Sequence, residues 1–123
     1  PYTNAFILTA ENPLSLDEFS ESENHTVTAA LRKDLNTAGV VFRDCPGRAI
    51  GSDHVESGFA LLASDDNRDR LLRDTLELAR SYRQNAIFHL NDHGLHIIGA
   101  MRAQMSGFRP VLIEPAGNWS VLT

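Results

Sequence analysis

Three histidines crowd the stretch "HLNDHGLH": His89, His93 and His96. On a helix, the four-residue step from His89 to His93 would put two imidazoles on one face, the spacing of a zinc site. Gly94 and the alternation of apolar and polar residues point to a hairpin instead. With Asp92 and His93 at the turn centre, His89 stands opposite His96 on one sheet face. Zinc takes three or four ligands, and a third would have to be His93 or Asp92. The plainer reading is a pair of histidines on a sheet face, so no metal and no cofactor is expected.

The other reactive groups point less far. Cys45 is the only cysteine, which excludes an internal disulfide and suits a reducing compartment. Flanking Arg43 and Arg48 would lower the pKa of a thiolate there. However, a phosphatase loop needs Arg where this chain has Gly51, so Cys45 reads as packing. "GRAIGS" lacks the Lys of a phosphate loop, although Arg48 between glycines is placed to clamp an anion. Asp65 and Asp66 stand where a helix begins, which is a capping position. Ser57-Gly58 lacks the preceding Gly of a nucleophile elbow. No catalytic residue is assigned.

These groups must be positioned by a short list of elements. "NAFILTA" reads as a buried strand over about residues 4–9, closed by Asn12-Pro13, with Pro13 holding Asn12 extended. A helix follows. Val27, Leu31, Leu35 and Ala38 share one face, Ser20 with Glu23 fits a capping box, and Gly39 fits the C-terminal stop. Ser15 opens a short turn before it. "VVFRDC" and "ESGFALLA" read as two further strands. A second helix runs from "SDDNRD" to about Arg83, with Leu71, Leu72, Leu76, Leu78, Ala79 and Tyr82 on its apolar side. Then come the hairpin and "PVLIEP", an edge strand between prolines. The economical arrangement is α+β in two layers, a mostly antiparallel sheet of about five strands with two helices on one face. The length fits a single domain over 1–123, with 100–123 as a C-terminal edge segment free to vary.

This order gathers polar side chains. If the first and fourth strands are antiparallel neighbours, the exit of one lies beside the start of the other. Thr9, Asn12, Asn24, Gln84 and Glu56 then meet, with Asn85 next to them and Arg48 offering charge. Two readings stay open: an amide network tying loop to helix, and a pocket for a small polar ligand. Glu11 is given no role and is expected to face solvent.

The same residues carry a family likeness. "FILTAENP", "SESEN", "ESGFALL" and "ARSYRQNAIF", in that order, resemble the uncharacterised bacterial domain-of-unknown-function family 3293. The likeness rests on Thr9, Ala10, Asn12, Pro13, Glu23, Asn24, Glu56, Gln84 and Asn85, and it fades after Gly99. It implies a fold and a set of positions but no activity.

Composition narrows the partners. A net charge of -5 argues against direct nucleic-acid binding, which needs basic surface. No apolar run is long enough for a membrane span, and the start lacks the basic region of a signal peptide. The expected setting is therefore cytoplasmic. Met105, Phe108, Arg109 and Trp119 are residue types favoured at interfaces. The function expected is a noncatalytic protein-interaction or ligand-binding domain, of the size and charge of a bacterial or phage inhibitor or counter-defence protein. A small-molecule or anion-binding module with a polar strand-end pocket is the alternative. A metal enzyme using His89 and His96 ranks below both.

Overall fold

The apolar run that opens the chain lies at the centre of the sheet. A strand in that place is covered on both faces, so it reads as continuous hydrophobic sequence rather than alternation. The computed structural model describes residues 1–16, 18–47 and 55–101, and the backbone of 111–113. Strand β1 spans Asn4–Leu8 and is buried throughout. It pairs antiparallel with β3 (Phe59–Ala63) on one side and β4 (Ala86–Asn91) on the other. With β2 (Phe42–Asp44), β5 (Gly94–Gly99) and β6 (Val111–Ile113), the sheet order is β2-β3-β1-β4-β5-β6. All the strand pairs among the described residues are antiparallel. The expected edge strand is β6, and the two-layer α+β arrangement is the one read from the sequence.

Successive side chains alternate across each strand. Phe6, Leu8, Phe59, Leu61 and Ile87 therefore face one way, into a cluster that takes in both helices. Ala5, Ile7, Ala60, Leu62, Leu90 and Leu95 face the other way, with Cys45. Helix α1 (Glu21–Ala38) contributes Leu31 and Leu35, and α2 (Arg68–Ser81) contributes Leu71 and Ala79. Thr75 is also buried on α2; its hydroxyl donates to the Leu71 carbonyl at 2.6 Å, so a polar residue sits in the core without an unpaired group.

The ends of α1 are those its sequence encodes. Ser20 accepts from the Glu23 N–H, and the Glu23 carboxylate accepts from the Ser20 N–H. Gly39 closes the helix in the left-handed region at φ 71°. The end of α2 repeats this motif without glycine. Arg83 takes φ 56°, its N–H donates to the Arg80 carbonyl at 3.0 Å, and the Gln84 N–H donates to the Ala79 carbonyl at 2.9 Å. Gln84 and β4 then start beside the exit of β1.

Three details differ from the sequence reading. Asn12 is not extended but left-handed at φ 47°, and Pro13 opens a single 3-10 turn, Pro13–Ser15. Asn visits this region more readily than most residues, and here Asn24 holds it from another element; proline at the first position has no N–H to leave unpaired. Ala38 is exposed and does not extend the buried stripe of α1. Asp65 does not cap α2. It accepts from Asn4 Nδ2 at 3.1 Å and Thr3 Oγ1 at 3.0 Å, and Asn67 is the N-cap residue. Thr3 and Asn4 reach Asp65 because Asn4 pairs with Ala63 in the sheet.

Candidate functional site

The end of β1 turns through an elbow at residues 9–16, and the predicted polar residues meet there. Thr9 begins it: its hydroxyl donates to the Ser57 carbonyl at 2.6 Å and accepts from the Glu11 N–H at 3.1 Å. Asn12 and Asn24 clasp each other. Asn24 Oδ1 accepts from the Asn12 N–H at 2.9 Å, and Asn24 Nδ2 donates to Asn12 Oδ1 at 3.1 Å. Gln84 Nε2 donates to the Glu11 carbonyl at 3.1 Å and to the Tyr82 carbonyl at 3.2 Å. Thr9 and Gln84 thus both bond the Glu11 backbone, and the Asn12–Asn24 clasp follows at the next residue, so four of the expected residues meet at this elbow.

Glu11 is the residue that sequence reasoning missed. It is 6% exposed, and its carboxylate accepts from the Ser57 N–H. It ties the elbow to the segment leading into β3. Its burial between an alanine and an asparagine leaves no local signal, because the partner is far away in sequence. Glu56, beside Ser57, exchanges backbone bonds with Gly47 at 2.8 and 2.9 Å. The Asn85 carbonyl accepts from the Ala100 N–H at 2.8 Å and anchors the end of β5. Arg48, Met105, Phe108, Arg109 and Trp119 lie outside the described residues.

The elbow is also where non-glycine left-handed residues gather. Asn12, Leu14 and Arg83 all have positive φ, and the Leu14 N–H donates to the Arg83 carbonyl at 2.6 Å. Such conformations cost on the order of 1–3 kcal/mol each and persist where the surroundings hold them. Beside them is a cavity of 170 Å³ lined by Pro13, Leu14, Leu16, Phe19, Glu18 and Arg83.

A larger recess lies between the helices. It measures 390 Å³, with Leu35, Leu61, Leu71, Leu78 and Val40 as its apolar lining. Asp34 of α1 and Asp74 and Glu77 of α2 stand around it. None of these three carboxylates is in an ion pair among the described residues. Tyr82 donates its hydroxyl to Asp34 Oδ2 at 2.6 Å. Burial first, then that bond to an anion, push the phenol above its ordinary range.

The histidine register is the one read from the hairpin: His89 opposes His96 across β4 and β5. His93 is exposed at the turn. Among the described residues no group of three or more His, Cys, Asp or Glu is placed to hold a metal. His89 stacks on Phe6 with ring centroids 4.6 Å apart. Burial lowers its pKa, helped by His96 and by Arg68. The unfolded chain therefore binds a proton that the native state resists. This part of the stability is complete above the ordinary value of 6.5 and is lost as pH falls below it. Urea melts with chelator present are expected to show that loss between pH 6.5 and 5. Asp65, which faces the pair through Asn4, stays ionised across that range. His89→Gln should flatten the profile.

Cys45 is buried, and burial pushes its thiol up to about 11. Burial, not the lowering expected from a flanking arginine, sets the direction of the shift, and Arg48 lies outside the described residues. Among the described residues no helix is long and apolar enough to cross a membrane.

No curated protein and no solved structure matches the chain. Residues 8–87, about two thirds of it, match the family model described as a protein of unknown function, DUF3293. The matched segment runs from the last residue of β1 into β4 and contains Thr9, Asn12, Asn24, Glu56, Gln84 and Asn85, the whole elbow together with both helices and the recess between them. The chain belongs to the DUF3293 family.

Proposed function

We propose that this is a noncatalytic protein-interaction domain whose docking surface is the recess between α1 and α2, and that its occupant is a basic amphipathic segment of a partner protein. The observation that carries this is the pairing of an apolar floor with Asp34, Asp74 and Glu77 around it. The recess is within the size range of ligand clefts. An amphipathic helix laid in such a groove buries its apolar side chains in the floor. Lys or Arg on its flanks meets the three carboxylates, and the net charge of -5 steers the encounter in the same sense. An inhibitor role of the kind expected from size and charge would act through this surface.

The test uses a fluorescent amphipathic peptide of Lys and Leu, with a Glu and Leu peptide as its control, read by anisotropy. The Lys peptide should bind and the Glu peptide should not. Asp74→Lys combined with Glu77→Lys should weaken binding by about tenfold, since exposed charge pairs contribute on the order of 0.2–1 kcal/mol each and reversal also adds repulsion. Ala38→Tyr, at an exposed lining position, should block the recess to a similar degree. Equal binding of both peptides, or affinity unchanged in both variants, would overturn the proposal.

A second reading keeps the strand-end site. The three left-handed residues Asn12, Leu14 and Arg83 adjoin the smaller cavity, where Arg83 and Glu18 offer one charge of each sign to a small polar molecule. The bonds that Asn12, Asn24 and Gln84 already make to protein groups favour the groove over it.

A further inference from the structure

We propose that His89 and His96 form a two-imidazole site for a first-row divalent metal ion of the Cu2+, Ni2+ and Zn2+ group, lying on the helix-facing side of β4 and β5. The hydrogen bonds fix the tautomer of His89. Asp65 can only accept, and it takes Asn4 Nδ2 at 3.1 Å. The Asn4 amide is therefore oriented with Oδ1 toward the ring, and His89 Nε2–H donates to it at 2.8 Å. The lone pair of the neutral ring is then on Nδ1. A ligating histidine commonly has its other nitrogen tied to a carbonyl or carboxylate in this way. Here the tie runs through Asn4 to Asp65, whose carboxyl is held below its ordinary range by those bonds from Asn4 and Thr3.

The second ligand is the unexplained feature. His96 Nδ1 is buried and has no hydrogen-bond partner among the described residues. Buried ring nitrogens are usually bonded, so an unbonded one calls for an account. The two rings stand directly across the strands, their centroids 6.1 Å apart, close enough for an ion to bridge them. Imidazole suits Zn, Cu and Ni, and Cu2+ binds such donors most tightly in the divalent series. No third protein ligand is available among the described residues. The remaining positions belong to water or an added ligand. The cost is Arg68, whose positive charge acts on His89; its Nε is bonded to Asp69 Oδ1 at 3.1 Å, which offsets part of that charge.

Titration of the full chain with Cu2+, followed by electron paramagnetic resonance, tests this. The expected result is one saturable Cu2+ per chain with superhyperfine splitting from imidazole nitrogens. His96→Gln should weaken it by at least about tenfold, and Asn4→Ala by about tenfold through loss of ring positioning. Arg68→Ala should tighten it several-fold, an effect that a purely structural role would not produce. His93→Gln, at an exposed histidine of the same hairpin, should change nothing. His96→Gln removes a ring whose Nδ1 bonds to no described residue, so it remains informative if His89→Gln fails to fold. Affinity unchanged in His96→Gln, or lost equally in His93→Gln, would overturn the site.

Discussion

Gly58→Ala is expected to destabilise the fold by about 3 kcal/mol, the upper part of the range for forcing extra volume into a packed interior. A Cβ at this position would stand 2.9 Å from the Cys45 carbonyl oxygen and 3.1 Å from that of Leu8. Both obstacles are backbone, so no side-chain rotation can relieve them. They are also on different segments. The Cys45 N–H donates to the Gly58 carbonyl at 2.8 Å, and Leu8 is the last residue of β1, paired with Phe59. Relief would pull β2 or β1 away from β3 just where Ser57 reaches the elbow. Gly39→Ala makes the contrast. No atom lies within 4 Å of its added Cβ, and only the left-handed backbone is disfavoured, at about 1–2 kcal/mol. Urea denaturation of both variants should rank Gly58→Ala as the more damaging, with unchanged dependence on denaturant. The reverse order would mean that the approach of the three segments is looser than described.

Asn24→Leu is expected to cost about 2–3 kcal/mol, although leucine is the better helix former. The reason is asymmetry: removing one partner leaves the other unpaired, at roughly 1–3 kcal/mol. The Asn12 N–H and Oδ1 would both lose the groups that hold them, and Asn12 would keep a backbone conformation favoured only with those bonds. Against a total stability on the order of 5–15 kcal/mol, that is a large fraction. Asn24→Asp is the informative companion. It retains an acceptor for the Asn12 N–H and loses only the donor, so it should recover part of the loss. Hydrogen exchange at the Asn12 amide, slow in the wild type, should be fast in Asn24→Leu and intermediate in Asn24→Asp.

Much of this fold is legible in the sequence because local signals and tertiary demand agree. Ser20 with Glu23 and Gly39 bound α1 where they should, and a turn centred on Asp92 and His93 sets His89 against His96. The meeting of Thr9, Asn12, Asn24 and Gln84 was legible from one assumption, that β1 and β4 are antiparallel neighbours, and they are. Glu11 was not legible. A glutamate beside Asn-Pro has every local mark of a solvent-facing turn, and only the distant Ser57 N–H accounts for its burial. The left-handed Asn12 was hidden for the same reason, because its partner Asn24 lies on a different element. The recess was not legible because nothing local distinguishes Asp34, Asp74 and Glu77 from ordinary solvated helix positions. Both helices contribute to one cluster on the same sheet face, which places these carboxylates around one apolar floor. Misses of this kind share a cause: the deciding contact is long-range and polar, while sequence periodicity reports burial of apolar faces.

The groove and the elbow are built from different residues, and amide chemical-shift mapping separates them. On titrating the Lys and Leu peptide into isotope-labelled protein, shifts are predicted at Leu35, Ala38, Asp74 and Leu78, with the amides of Thr9, Glu11, Asn12 and Gln84 unmoved. Shifts confined to those elbow amides, or no saturable shift anywhere, would contradict the assignment of the recess between α1 and α2 as the docking surface.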